Sequence, residues 1–301
     1  MELIVRGWGV SLGYSRGAVV VKKRGGEVEK VPIHQVDRIW ILTGGVSVSS
    51  RLVRECGRRF IDLVYFDGRG NPVARLFPPE ANGVVTHRRA QYEAYLNGRG
   101  FQLAKLVVAG KVVNQAAALR RVAASRRELY RRLVDAASKV AALEGRVYQC
   151  GDPQCVIGVE GQAAQIYWDA LAPLLGFDRR APEGTDPANL ALNYGLLKYT
   201  VWREVVIHGL DPYAGFLHVD KSGRPSLVLD LMEEFRPHVD LMVLRLRPGA
   251  DWVEGGVLKR EARGRLVETW ASLGVGKLVA RQVAAAVRHL EGSGIYVPHR
   301  L

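Results

Sequence analysis

The sequence predicts an α+β protein of more than one domain. A small antiparallel, sandwich-like β domain covers residues 1–79, a linker 80–90, and a larger all-α domain 91–301. Three observations carry this. The first seventy-odd residues break into short β-branched runs parted by turn residues. The character changes at Pro78-Pro79. From about Arg88 the chain turns to long stretches of Ala, Leu, Arg and Val with few turn signals. At 301 residues there is enough chain for two cores.

The expected strands are 18–22 (A-V-V-V-K), 28–31 after the turn Gly25-Gly26, 38–42, and 46–48 after Gly44-Gly45. Residues 50–59 read as a helix and 61–66 (I-D-L-V-Y-F) as a buried strand. Asp67-Gly68 with Gly70-Asn71-Pro72 then forms a hairpin turn into 73–77. In the helical part, Asp186-Pro187 and Asp211-Pro212 read as helix starts, because Asp accepts orphan N–H groups and Pro at the first helical position gives up no needed donor.

A formal charge of +13 draws polyanions, so DNA, RNA or an anionic membrane surface are natural partners. Residues 99–146 hold eleven Lys and Arg against Glu128, Asp135 and Glu144, a net of +8. Arg120, Arg121, Arg126, Arg127, Arg131 and Arg132 form doublets on one side of a helical segment, suited to neutralising phosphates without reading bases; a solvated face is the alternative. Arg245, Arg247, Lys259 and Arg260 form a second basic group that could flank a site. No window reaches the roughly 18 apolar residues of a membrane span, and the N-terminus is unlike a secretory signal, so a cytoplasmic protein without membrane attachment is expected. Three cysteines fit a reduced compartment; Cys150 and Cys155 read as free thiols or a local disulfide rather than half of a structural zinc site, since no second Cys/His pair lies close by in the sequence.

The stretch 209–237 (G-L-D-P-Y-A-G-F-L-H-V-D-K-S-G-R-P-S-L-V-L-D-L-M-E-E-F-R-P) supplies His218, Asp230, Glu233 and Glu234. Upstream, a helix through 156–171 would align Val156, Glu160, Ala164, Tyr167 and Leu171. A carboxylate in that otherwise apolar stripe must be solvated, paired with one of the arginines, or bound to a metal. With Ser226 as N-cap, Leu227, Val228, Leu231, Met232 and Phe235 form an apolar side. Asp230 and Glu233 then fall opposite, where solvated acids would also fall. His218 reads equally as a packed or capping residue; His87, His208 and His238 have weaker claims as ligands.

The order of V-E-G-Q-A-A-Q-I-Y-W, N-Y-G-L-L, G-L-D-P-Y-A-G-F-L-H and L-V-L-D-L-M-E-E-F-R-P resembles the CRISPR-associated endonuclease of the adaptation machinery, the universal integrase subunit that inserts new spacers into CRISPR arrays. Upstream, V-P-I-H-Q-V-D-R-I, G-G-V-S-V-S-S, F-I-D-L-V-Y-F-D and T-H-R-R-A-Q-Y extend the likeness over nearly the whole chain. The resemblance implies a metal, Mg²⁺ or Mn²⁺, held by Glu160, His218 and Glu233, with Asp230 as an acidic neighbour behind them. The third ligand is Asp in some members and Glu here, so Glu234 competes with Glu233. Tyr194 resembles a tyrosine near the family's active site, or is a core aromatic. The implied partners are DNA (spacer precursor and CRISPR repeat), a second copy bound through the β domain, and a small ferredoxin-like subunit. The rivals are a non-catalytic DNA-binding scaffold of the same fold and a branched-DNA repair nuclease.

Overall fold

A computed structural model describes residues 1–67, 72–76, 85–175, 191, 194–218 and 221–301. The chain divides into two compact units, Met1–Ala81 with Arg263–Ser272, and Asn82–Ala262 with Leu273–Leu301.

The β unit holds strands β1 (Glu2–Val5), β2 (Ser11–Ser15), β3 (Ala18–Lys22), β4 (Val28–Pro32), β5 (Arg38–Ile41), β6 (Ser47–Val48), β7 (Asp62–Phe66) and β8 (Pro72–Leu76), with helix α1 (Ser50–Arg58) before β7. They form two four-stranded sheets, ordered β1-β5-β7-β8 and β4-β3-β2-β6. Leu12, Val19, Ile39, Leu52, Cys56 and Leu63 meet in one core. Ser49 caps α1 by accepting the Leu52 N–H. The β-first, helix-later fold class holds, but the sheets are mixed: β1–β5, β5–β7 and β2–β6 pair in parallel. The route from β5 through α1 to β7 is a crossover, and a crossover returns the chain in the same direction, whereas a hairpin reverses it. Strands β1 and β2 were not foreseen; Gly13 and the serines of S-L-G-Y-S dilute the β pattern of the second.

The helical unit contains α2 (Val85–Asn97), α3 (Arg99–Ala124), α4 (Tyr130–Ala141), α5 (Glu144–Gln149), α6 (Pro153–Leu175), α7 (Gly195–Ile207), α8 (Ser226–Met232) and α9 (Arg236–Leu246). The small hairpin β9 (Val253–Glu254) and β10 (Val257–Leu258), then α10 (Arg260–Ser272) and α11 (Val275–Glu291), complete it; part of α10 joins the β unit. Helix α3 is central, because residues all round it, among them Leu103, Val107, Ala109, Val112 and Leu119, are buried. Against it pack α4, α6 and α9, with Val140, Val156, Tyr167 and Leu171 in the shared core. Cys150 and Cys155 form a disulfide at the head of α6, so the pair is bridged rather than free. No described helix is long and apolar enough to cross a membrane.

Several expectations change. Asp211-Pro212 starts no helix. Asp211 Oδ1 instead accepts the Tyr213 N–H (2.8 Å) in a tight local turn, and buried Gln91 bonds the Asp211 N–H and the carbonyls of Asp211 and Ala214. Helix α8 begins at Ser226 with Pro225 before it, so Ser226 is a buried helical residue rather than the cap. Residues 85–90 of the expected linker are the first turns of α2. The Asp186-Pro187 start, the turn residues Gly68 and Gly70-Asn71, Pro78-Pro79 and linker residues 80–84 lie outside the described residues.

Candidate functional site

The loop 211–218 lacks regular structure, and one carboxylate satisfies its far end. Asp230 Oδ2 accepts the backbone N–H groups of Phe216 and Leu217 (2.6 and 3.1 Å), and Oδ1 accepts that of His218 (3.0 Å). The same Oδ1 lies 2.6 Å from His218 Nδ1. With the Nδ1 proton directed at Asp230, the ring's lone pair sits on Nε2, which has no partner among the described residues. Two glycines let the chain come this close. A Cβ on Gly215 would lie 2.7 Å from Ser226 Cβ and 2.9 Å from Asp230 Oδ2, and one on Gly100 of α3 would enter the Phe216 ring.

Glu160 stands on α6, where the stripe argument put it, with Val156, Tyr167 and Leu171 fully buried beside it. It is paired, but with a lysine rather than an arginine. The Lys111 ammonium, on α3, donates to both Glu160 Oε1 and Glu233 Oε2, and Arg236 holds Glu233 Oε1 at 2.8 Å. Burial pushes Lys111 down and Glu233 up, but the mutual charges outweigh it: Lys111 stays above its ordinary value, while Lys111 and Arg236 hold Glu233 below its own. His218 lies close enough to Glu233 that a proton on its ring would lower the acid further. Asp230 and Glu233, expected on a polar face, are 3% and 2% exposed. The element is too short and too enclosed to have a solvent side: α8 is buried nearly throughout and gives way to a 3₁₀ turn at Glu233.

Glu234 points elsewhere. It accepts from the Tyr296 hydroxyl, the His299 N–H (2.9 Å) and Gln282 Nε2 (3.3 Å). Burial raises its carboxyl to about 7 against those hydrogen bonds. Beside it Phe235, His238 and His299 form a ring cluster, in which burial, then His299 and Arg121, lower His238 to about 4. The unfolded chain takes up that proton near 6.5 and the native state resists until about 4. His238 therefore contributes a loss of stability as pH drops through this window, by at most about 1.4 kcal/mol per unit, opposed by Glu234, whose raised carboxyl takes up its proton first in the native state. His238→Gln is expected to remove the His238 contribution, so that stability falls less, or rises, as pH drops from about 6.5 to 4.5, measured by urea unfolding at a series of pH values.

Tyr194 is a buried aromatic whose hydroxyl donates to Asp240 (2.7 Å) and whose ring carries the Arg236 guanidinium at 4.7 Å. Its hydroxyl is thus engaged inside the fold, and its ring meets the site through Arg236. The α3–α4 arginines do not share one helix: α3 ends at Ala124, so Arg120 and Arg121 precede the break, Arg126 and Arg127 lie in it, and Arg131 and Arg132 follow. Lys111, counted in that basic segment, is buried and belongs to the acid cluster. Arg121 and Arg126 meet Arg245 and Arg247 around a groove of about 500 Å³ floored by Leu174, Leu241 and Leu244. Lys259 and Arg260, at the β10–α10 junction, do not line it.

No three His, Cys, Asp or Glu side chains stand together as a finished ligand set among the described residues. The donor chemistry nonetheless suits a hard divalent ion: two carboxylates converge on one cation, Lys111, and an oriented imidazole lies near.

Fold and site define a β-plus-helical protein with a buried acid–histidine centre and a separate arginine-lined groove. The chain belongs to the CRISPR associated protein Cas1 family, whose model matches residues 3–272. It is similar to CRISPR-associated endonuclease Cas1 1 of Pyrobaculum aerophilum, 67% identical over 303 residues and covering 100% of both chains. Among solved structures it resembles a CAS1 protein from Thermotoga maritima (TM-score 0.79, 20% identity, 100% of both chains). It also resembles a casposase bound to integration product (0.78, 19%, 98% of this chain and 92% of that one). A third likeness is to a chain of a partial Cas6-RT-Cas1–Cas2 complex (0.71, 16%, 100% and 98%). At these identities the structures speak to the fold.

Proposed function

We propose that this chain is a divalent-metal-dependent DNA endonuclease and integrase that inserts new spacers into CRISPR arrays by phosphodiester cleavage and strand transfer. The observation that carries the reading is the convergence of Glu160 and Glu233 on one buried cation near a histidine that Asp230 orients. Family membership and the fold shared with a casposase bound to integration product support it.

Glu160, Glu233 and His218 Nε2 would hold Mg²⁺ or Mn²⁺, which when bound polarises a phosphodiester and offsets the charge on its oxygens. Asp230 keeps the imidazole turned, and Arg236 balances Glu233. The groove arginines would hold the DNA backbone without reading its sequence. In cleavage the attacking oxygen is water's. In integration it is a DNA 3′-hydroxyl, which loses its proton and forms the new P–O bond as the displaced strand leaves with the old bridging oxygen; no covalent enzyme intermediate is needed. The partners are a second copy, bound through the β unit, and a small ferredoxin-like subunit; the Cas1–Cas2 assembly among the fold's neighbours supports a Cas2 partner.

The test is strand transfer of a labelled duplex with Mn²⁺ or with EDTA. Glu160→Gln and His218→Ala should reduce product to the EDTA background while DNA retention on filters persists. Undiminished transfer in either variant would sink the site assignment, whereas a wild-type chain that binds DNA but transfers nothing with Mn²⁺ would be only a DNA-binding scaffold. Arg121→Ala with Arg245→Ala should weaken retention and make the slope of log K against log salt shallower by about 0.9 per lost phosphate contact.

A further inference from the structure

A lysine in the middle of a buried helix needs an explanation. Lys111 follows V-V-A-G on α3, its side chain is 7% exposed, and its ammonium is shared between Glu160 and Glu233. Those carboxylate oxygens face the point where the two acids converge, and Glu233's other oxygen is already held by Arg236. An ion seated where the two acids converge would compete with Lys111 for the oxygens that it now holds, Glu160 Oε1 and Glu233 Oε2. Charge adds to the competition. Lys111 and Arg236 with the two carboxylates make a neutral group of four. A divalent ion among the same oxygens would sit beside the ammonium, and moving the ammonium off them relieves that repulsion.

We propose that Lys111 is the resident counter-cation of this site: it holds Glu160 and Glu233 in place before metal arrives, and a divalent ion displaces its ammonium from their oxygens. The inference rests on the metal reading above. It makes Lys111 a positioning residue with an opposite effect on two quantities. Its removal strips the metal-free site of a counter-charge and lowers stability. The same removal ends the competition, so metal binds more tightly, because an occupied site lowers apparent affinity by the fraction of time that it is closed.

The experiment measures Mn²⁺ binding by calorimetry on the full chain without DNA, for wild type, Lys111→Met and Glu160→Gln, with melting curves in EDTA and in Mn²⁺. Lys111→Met is expected to tighten Mn²⁺ binding about tenfold or more. It should melt lower than wild type in EDTA and gain more from Mn²⁺. A folded Lys111→Met whose Mn²⁺ affinity is unchanged or weaker overturns the proposal. If that variant does not fold in EDTA, refolding it with Mn²⁺ should restore native circular dichroism, and failure to do so overturns the proposal equally. Glu160→Gln separates the two claims. Lost Mn²⁺ binding there with an unchanged Lys111→Met sinks only the role of Lys111; unchanged binding in Glu160→Gln sinks the metal reading and the proposal with it.

Discussion

Asp230→Ala is expected to disorganise the site and lower the melting temperature by about 6–20 °C. The carboxylate is 3% exposed and serves four donors, three backbone N–H groups of 216–218 and the His218 ring. Its loss leaves these donors in an enclosed place, at a cost on the order of 3–5 kcal/mol. For a unit of this size each kcal/mol moves the melting point by about 2–4 °C. Strand transfer should fall about a hundredfold or more even below the new melting point, since the imidazole loses the hydrogen bond that fixes its orientation. Asp230→Asn keeps the shape but faces backbone N–H groups with an amide that has one acceptor oxygen, so it should fall between the two. Thermal melts with transfer assays at a temperature where all variants are folded provide the check. A wild-type melting curve for Asp230→Ala would show that the loop is held by something else.

The second expected result separates two adjacent acids. Glu233→Gln should abolish transfer, because its oxygens face Lys111 and Arg236 at the convergence with Glu160. Glu234→Ala should cost chiefly stability, again about 3 kcal/mol, because it orphans the Tyr296 hydroxyl proton and the His299 N–H, while Gln282 keeps the Val297 carbonyl. Glu234→Gln should cost less than Glu234→Ala but not be neutral, since Tyr296 and His299 bond different oxygens of Glu234 and the single amide oxygen can serve only one of them. Activity normalised to the folded fraction decides the matter: a Glu234→Ala protein as inactive as Glu233→Gln would return Glu234 to contention as third ligand.

The sequence reading reached the β-first, helix-later order and Glu160 because both rest on strong local patterns. A long helix with one solvent side makes an acid on its apolar stripe conspicuous. The same reasoning misjudged Asp230 and Glu233, because α8 is seven residues long and enclosed on every side. Lys111 was legible by the argument used for Glu160: a charge inside V-V-A-G-K-V-V cannot be solvated if the helix is buried all round. Grouping it with nearby arginines concealed it. The Asp211-Pro212 turn was not legible, since its local helix-start signal is overridden by Gln91, distant in sequence. The joining of Arg121 with Arg245 and Arg247 likewise depends on how α9 packs, which no local pattern announces.

Helix α3 carries both Lys111 and Arg121, and this makes it a ruler. Ten residues of helix span about 15 Å, roughly the rise of four nucleotides along one strand of duplex DNA. A strand gripped in the groove and reacting at the acid cluster would have its joined phosphate offset from its held phosphates by a length that no loop motion can alter. One residue inserted between them would lengthen the ruler by only about 1.5 Å but swing Arg121 by about 100° around the helix and out of the groove.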